Sequence, residues 1–378
     1  MGFPVQSVLR VIGLVPTVLS LACAADGEVA VSKTVKLSAA AIPAPAAVFT
    51  PTVLATANKG GFWMQMVTKT GIVLPQQRVV FAKGQSESVF SLGGTSFNFQ
   101  FSQDNQAFAL KPEKGAAVPL KQAQEGLAPQ VLPIANKRKL PVAFPFATVG
   151  RAESFFAVRA ATVVKGTLDG EQINFLDDNL DGVIDQQDAF STGASPCYAP
   201  MPKRIATKKG IWTVDEVAAD GSKAVFTPDA AATVACSFKF SGESAGHAVI
   251  ASADGSLIAV VTGANEALKL PPGDYKLQYG AVYGANGKVM AAIIPGELPA
   301  FTLASAGADT KDAKKKQVFA YGGPFVLKFT ARMEGGKLAV DPTVTLHGAN
   351  GERYLDYRWQ GPPTVYVNGK QNGSMGFG

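Results

Sequence analysis

Alternation with a period of two residues constrains this chain most. In Thr95-Ser96-Phe97-Asn98-Phe99-Gln100-Phe101-Ser102 every second residue from Phe97 is aromatic, and an extended strand sends successive side chains to opposite faces. A helix would spread those rings around its whole circumference. The same alternation returns in Cys236-Ser237-Phe238-Lys239-Phe240, Leu268-Lys269-Leu270 and Tyr275-Lys276-Leu277-Gln278-Tyr279. Between such runs stand Asp169-Gly170, Asp220-Gly221, Asp254-Gly255, Asn286-Gly287, Asn350-Gly351 and Asn368-Gly369, dipeptides suited to the positive φ angles of tight hairpins. The expected fold is all-β: two or three antiparallel β-sandwich modules with few short helices.

Composition agrees and narrows the function classes. With 39 Gly and 24 Pro in 378 residues and only 17% charged residues, turn-rich sheets are favoured over bundles or coiled coils. The net charge of +6 comes from basic residues spread along the chain, which argues against a nucleic-acid partner. Two His and three Cys leave little material for a His-based active site or a thiolate zinc site.

The first residues read as an export signal. Arg10 precedes an apolar run from Val11 to Ala22, and Ala22-Cys23-Ala24 has the small-x-small form that signal peptidase reads. This predicts a signal peptide over 1–24 and an exported protein, periplasmic, at the cell surface or extracellular. The run is too short to span a bilayer, and no later stretch reaches the roughly 20 apolar residues of a membrane helix. A lipid anchor at Cys23 is the second reading of Ser20-Leu21-Ala22-Cys23, which fits a lipoprotein signal in part. Either route leaves Cys197 and Cys236, and in an oxidising compartment the two are expected to pair, closing a loop of about 40 residues for roughly 4 kcal/mol.

The remaining chain divides by composition. Residues 25–60, rich in Ala and Pro, read as an extended leader. A β-rich domain follows over 61–195, a β-sandwich over 196–303, a charged linker or long loop over 304–317 and a C-terminal β module over 318–378. Leu270-Pro271-Pro272-Gly273-Asp274-Tyr275-Lys276-Leu277 resembles the Leu-Pro-x-Gly-x-Tyr hairpin of carboxypeptidase-regulatory and related transthyretin-like domains. The resemblance covers Ala232 to Leu303 and implies an accessory or adhesive module without catalytic residues. Gly348 to Tyr354, Pro363 to Val367 and the final Gly-Phe-Gly resemble the closing module of uncharacterised secreted bacterial β-sandwich proteins that also carry Asp-x-Asn-x-Asp-Gly loops, which implies a cell-envelope location.

The strongest local signal for chemistry is Asp177 to Asp188. Oxygen-bearing side chains fall at loop positions 1, 3, 5, 9 and 12 as Asp177, Asn179, Asp181, Asp185 and Asp188, with Gly182 at the sharp turn, Val183 offering its backbone carbonyl and Ile184 apolar. Five Asp fall in these twelve residues, and such crowding repels unless a cation gathers it. The segment resembles the calcium loop of EF-hand and dockerin proteins, which implies Ca2+ as the cofactor and those six residues as its ligands. It departs at position 12, where Asp replaces the bidentate Glu, and at position 4, where Leu180 is unusually apolar. No helix pair is expected around it.

Other motifs are weaker. Gly242-Glu243-Ser244-Ala245-Gly246 matches the nucleophile elbow of α/β-hydrolases, but an elbow needs a buried strand before the Ser and a helix after it. Here an alternating strand precedes it and a turn follows. The three Trp, at 63, 212 and 359, suit either a sugar platform or core positions, and Lys137-Arg138-Lys139 and Lys314-Lys315-Lys316 read as solvated turns. The sequence therefore predicts an exported, non-enzymatic, calcium-binding β-sandwich protein with a structural, adhesive or binding role among cell-envelope polymers or proteins. The rival readings are a secreted hydrolase with a carboxylate-only active site, which leaves no sequence signature, and a carbohydrate-binding module.

Overall fold

A computed structural model describes residues 31–42, 50–53, 77–82, 84–102, 107–123, 126–145, 153–241, 246–262, 265–283, 289–293, 300–304, 317–340, 345–348, 351–355, 364–367 and 370–374. These residues are nearly all strand and turn. The helical pieces among them are a single turn at 51–53 and a 3-10 turn at Ala135–Lys137. No helix among the described residues is long and apolar enough to cross a membrane. The proposed signal segment 1–24, with Cys23, lies outside the described residues.

Among the described residues, three hydrophobic cores organise the strands. The first lies between a four-stranded sheet (Glu87–Leu92, Thr95–Ser102, Ala107–Pro112, Val118–Leu120) and a five-stranded sheet that includes Gly126–Pro133 and Lys139–Pro145. Its centre is aromatic: Phe99 is fully buried, with Phe81 and Phe144 each 5.6 Å away in edge-on contact. The alternation in Thr95–Ser102 is realised, with Phe97 and Phe99 inside and Ser96 and Asn98 at the other face.

The second core lies under one end of a twelve-stranded sheet, where Lys33–Lys36, Lys223–Asp229, Ile211–Val217 and Arg204–Ala206 run side by side. Facing it is a second five-stranded sheet built on Thr162–Leu168, Glu171–Leu176 and Ala189–Thr192, edged by Ser38–Ala41. The third core joins the middle of the long sheet to a three-stranded sheet of Asn265–Leu270, Val234–Ser241 and Gln317–Gly322. Tyr275 and Leu277 enter this core together, while Asp274 and Lys276 between and before them are exposed.

Two features differ from the sequence reading. The Ala/Pro-rich leader 25–60 is not a spacer where it is described: Lys33–Lys36 pairs with Lys223–Asp229, Ser38–Ala41 pairs with Thr162–Leu168, and Val35, Leu37 and Val53 are buried. Composition missed this because two four-residue strands need few apolar residues when their partners supply the core. The long sheet also draws strands from Lys33–Lys36 through Arg353–Leu355, and among the described residues one of its pairings is parallel, Arg204–Ala206 with Leu257–Thr262, as is Val234–Ser241 with Gln317–Gly322 in the three-stranded sheet. Strand pairing thus runs across 195/196 and 303/318.

The expected Cys197–Cys236 disulfide is corrected. Both thiols are fully buried, but the Cys236 thiol donates to the Leu268 carbonyl at 3.5 Å and belongs to the third core with Ala248 and Ile250. Cys197 lies outside that core, its thiol 3.9 Å from the His247 carbonyl, and burial pushes it up to about 12. A disulfide needs Cβ atoms about 4 Å apart, and these two side chains serve different packing surroundings.

Candidate functional site

Residues 177–188 connect the paired strands Glu171–Leu176 and Ala189–Thr192, whose register runs from Ile173↔Thr192 to Leu176↔Ala189. The loop is therefore a long hairpin connection without flanking helices, as the sequence indicated. Its ends are fixed by the sheet and its middle by two apolar plugs. Leu180, the residue that departs from the calcium-loop pattern, is 1% exposed and sits in the first core, and Ile184 sits in the second. The loop thus bridges two cores, and Leu180 adopts φ +59° to reach its own. Gly182 has φ +76°, the left-handed region that favours glycine, and a Cβ there would stand 2.6 Å from Ile134 Cδ1, so that methyl would have to move aside.

The side-chain oxygens fold back on the loop's own backbone. Asp177 accepts the N–H groups of Asp181 at 3.1 Å and Gly182 at 2.8 Å. Asn179 Oδ1 accepts the same Asp181 N–H at 3.0 Å, so the oxygens of positions 1 and 3 converge on one amide. Asp181 accepts from Val183 at 2.8 Å and Asp185 from Gln187 at 2.7 Å. Asp188 closes the ring: Oδ1 accepts from Asp178 at 2.9 Å and Oδ2 from Asp185 at 2.8 Å. Short polar side chains that bond the backbone two residues on are what curl a turn-rich segment. All five oxygen-bearing positions picked from sequence are used in this way, and Val183 takes part through its N–H. Among the described residues, no three His, Cys, Asp or Glu side chains are grouped as a metal-holding set.

Burial makes the two end carboxyls unusual. Asp177 is pushed up to about 6, first by loss of water and also by Asp181, against the hydrogen bonds that favour its anion. Asp188 is pushed up to about 7, first by burial and then by Asp177 and Asp185. Arg138 Nη1, from the Lys137-Arg138-Lys139 run, stands 3.9 Å from Asp181.

The sequence reading gave Asp178 no role, yet it is a tether. Its carboxylate accepts from the Thr50 hydroxyl and, at 3.1 Å, from the Thr52 N–H, while the Thr50 hydroxyl in turn accepts from Val53 N–H at 3.2 Å. The turn at 51–53 is thereby fastened to the loop. Residues separated by more than a hundred positions leave no local signal of such a contact.

The remaining motifs find ordinary places. Gly242 to Ala245, with Ser244, lie outside the described residues, but the segment from Gly246 is the strand Gly246–Ser252 and not a helix. Gly246 itself admits the ring of Phe240, whose Cδ1 would lie 2.1 Å from an added Cβ. His347 is held in a hairpin by Thr345 Oγ1 at 2.9 Å and the Gly351 carbonyl at 3.2 Å. Half-buried His247 is lowered to about 4 by loss of water. Trp212 is 5% exposed in the second core with Lys33 Nζ 4.9 Å above its ring, which leaves no open face for a sugar. Trp63, Trp359 and Lys314 to Lys316 lie outside the described residues. Comparison of the chain with protein-family models, with curated proteins and with solved structures gives no match.

Proposed function

We propose that this is an exported, non-enzymatic β-sheet protein of the cell envelope whose loop 177–188 takes one calcium ion in a structural role. The observation that carries the reading is the pair of buried carboxyls in one loop, Asp177 and Asp188, whose anions are disfavoured by burial and by acidic neighbours. A divalent cation is the counter-charge that reverses that preference, and oxygen ligands are what calcium takes. An ionised carboxylate offers about four lone-pair directions, so Asp188, which accepts from Asp178 and Asp185, retains acceptor capacity, and Asp177, which also bonds the Leu180 backbone besides Asp181 and Gly182, retains less. Asp181, Asn179, Asp185 and the Val183 carbonyl complete the donor set. Because Leu180 and Ile184 plug two cores, a cation here would fasten one core to the other.

Position 12 being Asp, affinity in the extracellular range of about 10⁻⁴ to 10⁻³ M is expected. At a free concentration about ten times the dissociation constant, linkage gives roughly 1.4 kcal/mol of stabilisation. Calorimetric titration with calcium and thermal melts with calcium or chelator test this. The melting temperature rises with calcium and falls back with chelator, and Asp177→Ala or Asp181→Ala removes the response while the β-type circular dichroism stays. Equal melting temperatures in both conditions, with no heat of binding, refute the reading.

A further inference from the structure

The geometry points to an oxyanion-binding cleft, remote in chemistry from the acidic loop, that takes a sulfate or phosphate group. An open cleft of about 480 Å³ lies where the chain passes from the long sheet to the second five-stranded sheet. Ser38–Ala41 pairs with Thr162–Leu168 only as far as Ser38↔Lys165, and beyond Leu37 the chain leaves to pair Lys36 with Lys223 in the other sheet. The two sheets therefore diverge at this point, and the edge at Gly166 and Thr167 lines the opening.

Glycine sets how tightly the crossover lies on that edge. A Cβ at Gly166 would stand 2.5 Å from Val35 Cγ1, 2.6 Å from Leu37 Cδ2 and 3.1 Å from the Lys36 carbonyl. With glycine there, the crossover lies close against the strand and Lys36 and Lys165 both line the cleft.

The lining is basic and hydrogen-bonding. Besides Lys36 and Lys165 it is lined by Thr34, Ser38 and Thr167, by Gln172, whose amide already donates to Asn174 Oδ1 at 2.6 Å and to the Gly193 carbonyl at 3.1 Å, and by no carboxylate. In the sheet register Ser38 and Lys165 are partners, as are Thr167 and Gln172, so these four side chains share one face. Lys36 and Lys165 form no ion pair among the described residues. The acids that follow Lys165 most closely in sequence are already engaged: Asp169 with Lys33, and Glu171 with the Lys208 N–H at 2.9 Å. Lys36 moreover stands directly opposite Lys223, an arrangement that disfavours both charges, and Lys223 finds relief in Glu216 at 3.0 Å while Lys36 does not. An oxyanion in the cleft supplies the missing counter-charge to Lys36 and Lys165 and accepts from the hydroxyls around them. The same chemistry is presented by a free ion and by an ester group on an acidic polymer.

Isothermal titration of the full chain at low ionic strength separates these sources, with sodium sulfate, sodium phosphate and dextran sulfate as probes. Binding of at least one probe is expected, weakened about fivefold or more by Lys36→Gln and by Lys165→Gln singly and further by the pair. Lys276→Gln, an exposed lysine on the strand Gly273–Tyr283, should leave binding unchanged. Lysine-dependent binding of the inorganic ions assigns a free-ion site; lysine-dependent binding of dextran sulfate alone assigns a polymer-borne ester. Circular dichroism and melting temperature check that the variants fold, and each single variant carries the test if the pair does not. The inference is overturned if no probe binds, if neither cleft variant weakens binding, or if Lys276→Gln weakens it equally.

Discussion

Lowering the pH in the presence of chelator should first stabilise this protein, because its two most perturbed acids are raised. Asp177 titrates near 6 and Asp188 near 7 in the folded chain, both well above an unfolded Asp near 3.8. Between those values the folded state holds more protons than the unfolded one, so stability falls as pH rises through the folded values and is recovered on acidification. From about pH 7.5 to about pH 5.5, linkage gives a gain of roughly 1 kcal/mol from Asp177 and roughly 2 kcal/mol from Asp188. Repulsion from an ionised Asp177 enters the Asp188 figure and fades as Asp177 itself takes up a proton, so the sum is an upper bound. His247 opposes them: lowered to about 4, it stays neutral in the fold while an unfolded His binds a proton. That costs roughly 1 kcal/mol by about pH 5.5, leaving a net gain of roughly 1 to 2 kcal/mol. Urea denaturation across this range is the assay, with Asp188→Asn and His247→Gln as diagnostic variants. Asp188→Asn should turn the gain into a loss or a flat profile, and His247→Gln should enlarge it. Saturating calcium should suppress the gain, since a bound cation holds the carboxylates ionised. A chelated wild-type protein whose stability is flat or rises with pH over this interval would refute the burial argument for both acids.

Two other outcomes follow from packing. Gly246→Ala should cost about 1–3 kcal/mol in urea denaturation, because Phe240 is 3% exposed and lies 5.7 Å from Tyr321, with little room to move away from a new methyl. Gly210→Ala, with nothing within 4 Å, should be neutral or stabilise by up to about 1 kcal/mol; equal effects at the two positions would discard the ring contact as the reason for Gly246. Cys197 and Cys236 should both react with a thiol reagent in denatured, unreduced protein and resist it in the native state, and reductant should leave the melting temperature unchanged. A linked peptide in a non-reducing map would restore the disulfide.

What could be read from sequence was what is local. Phe97 and Phe99 announced their strand because alternation is written in eight consecutive residues, and Gly170, Gly221, Gly255 and Gly351 all take the positive φ their turns demanded. The loop oxygens were found because their spacing lies within twelve residues, and Leu180 was marked as an oddity, though its reason, a seat in a core, needed the neighbouring sheets. Long-range events were invisible. Nothing near Lys33–Lys36 foretells Lys223–Asp229 as its partner, and Asp178 gives no hint of Thr50. Two lone Cys suggested each other by elimination, but elimination cannot see that Cys236 is committed to a core that Cys197 does not share.

The pairing of Lys33 with Phe226 and of Lys36 with Lys223 also sets a timetable. Lys33–Lys36 cannot find its place until the chain nearly two hundred positions later has been synthesised, and closing so large a loop delays its docking relative to the neighbouring hairpins. Until then the Lys223–Asp229 strand presents an open edge able to pair with another chain. The cost falls in that interval, when high dilution or a holding chaperone decides whether the open edge meets Lys33–Lys36 or a strand of another chain.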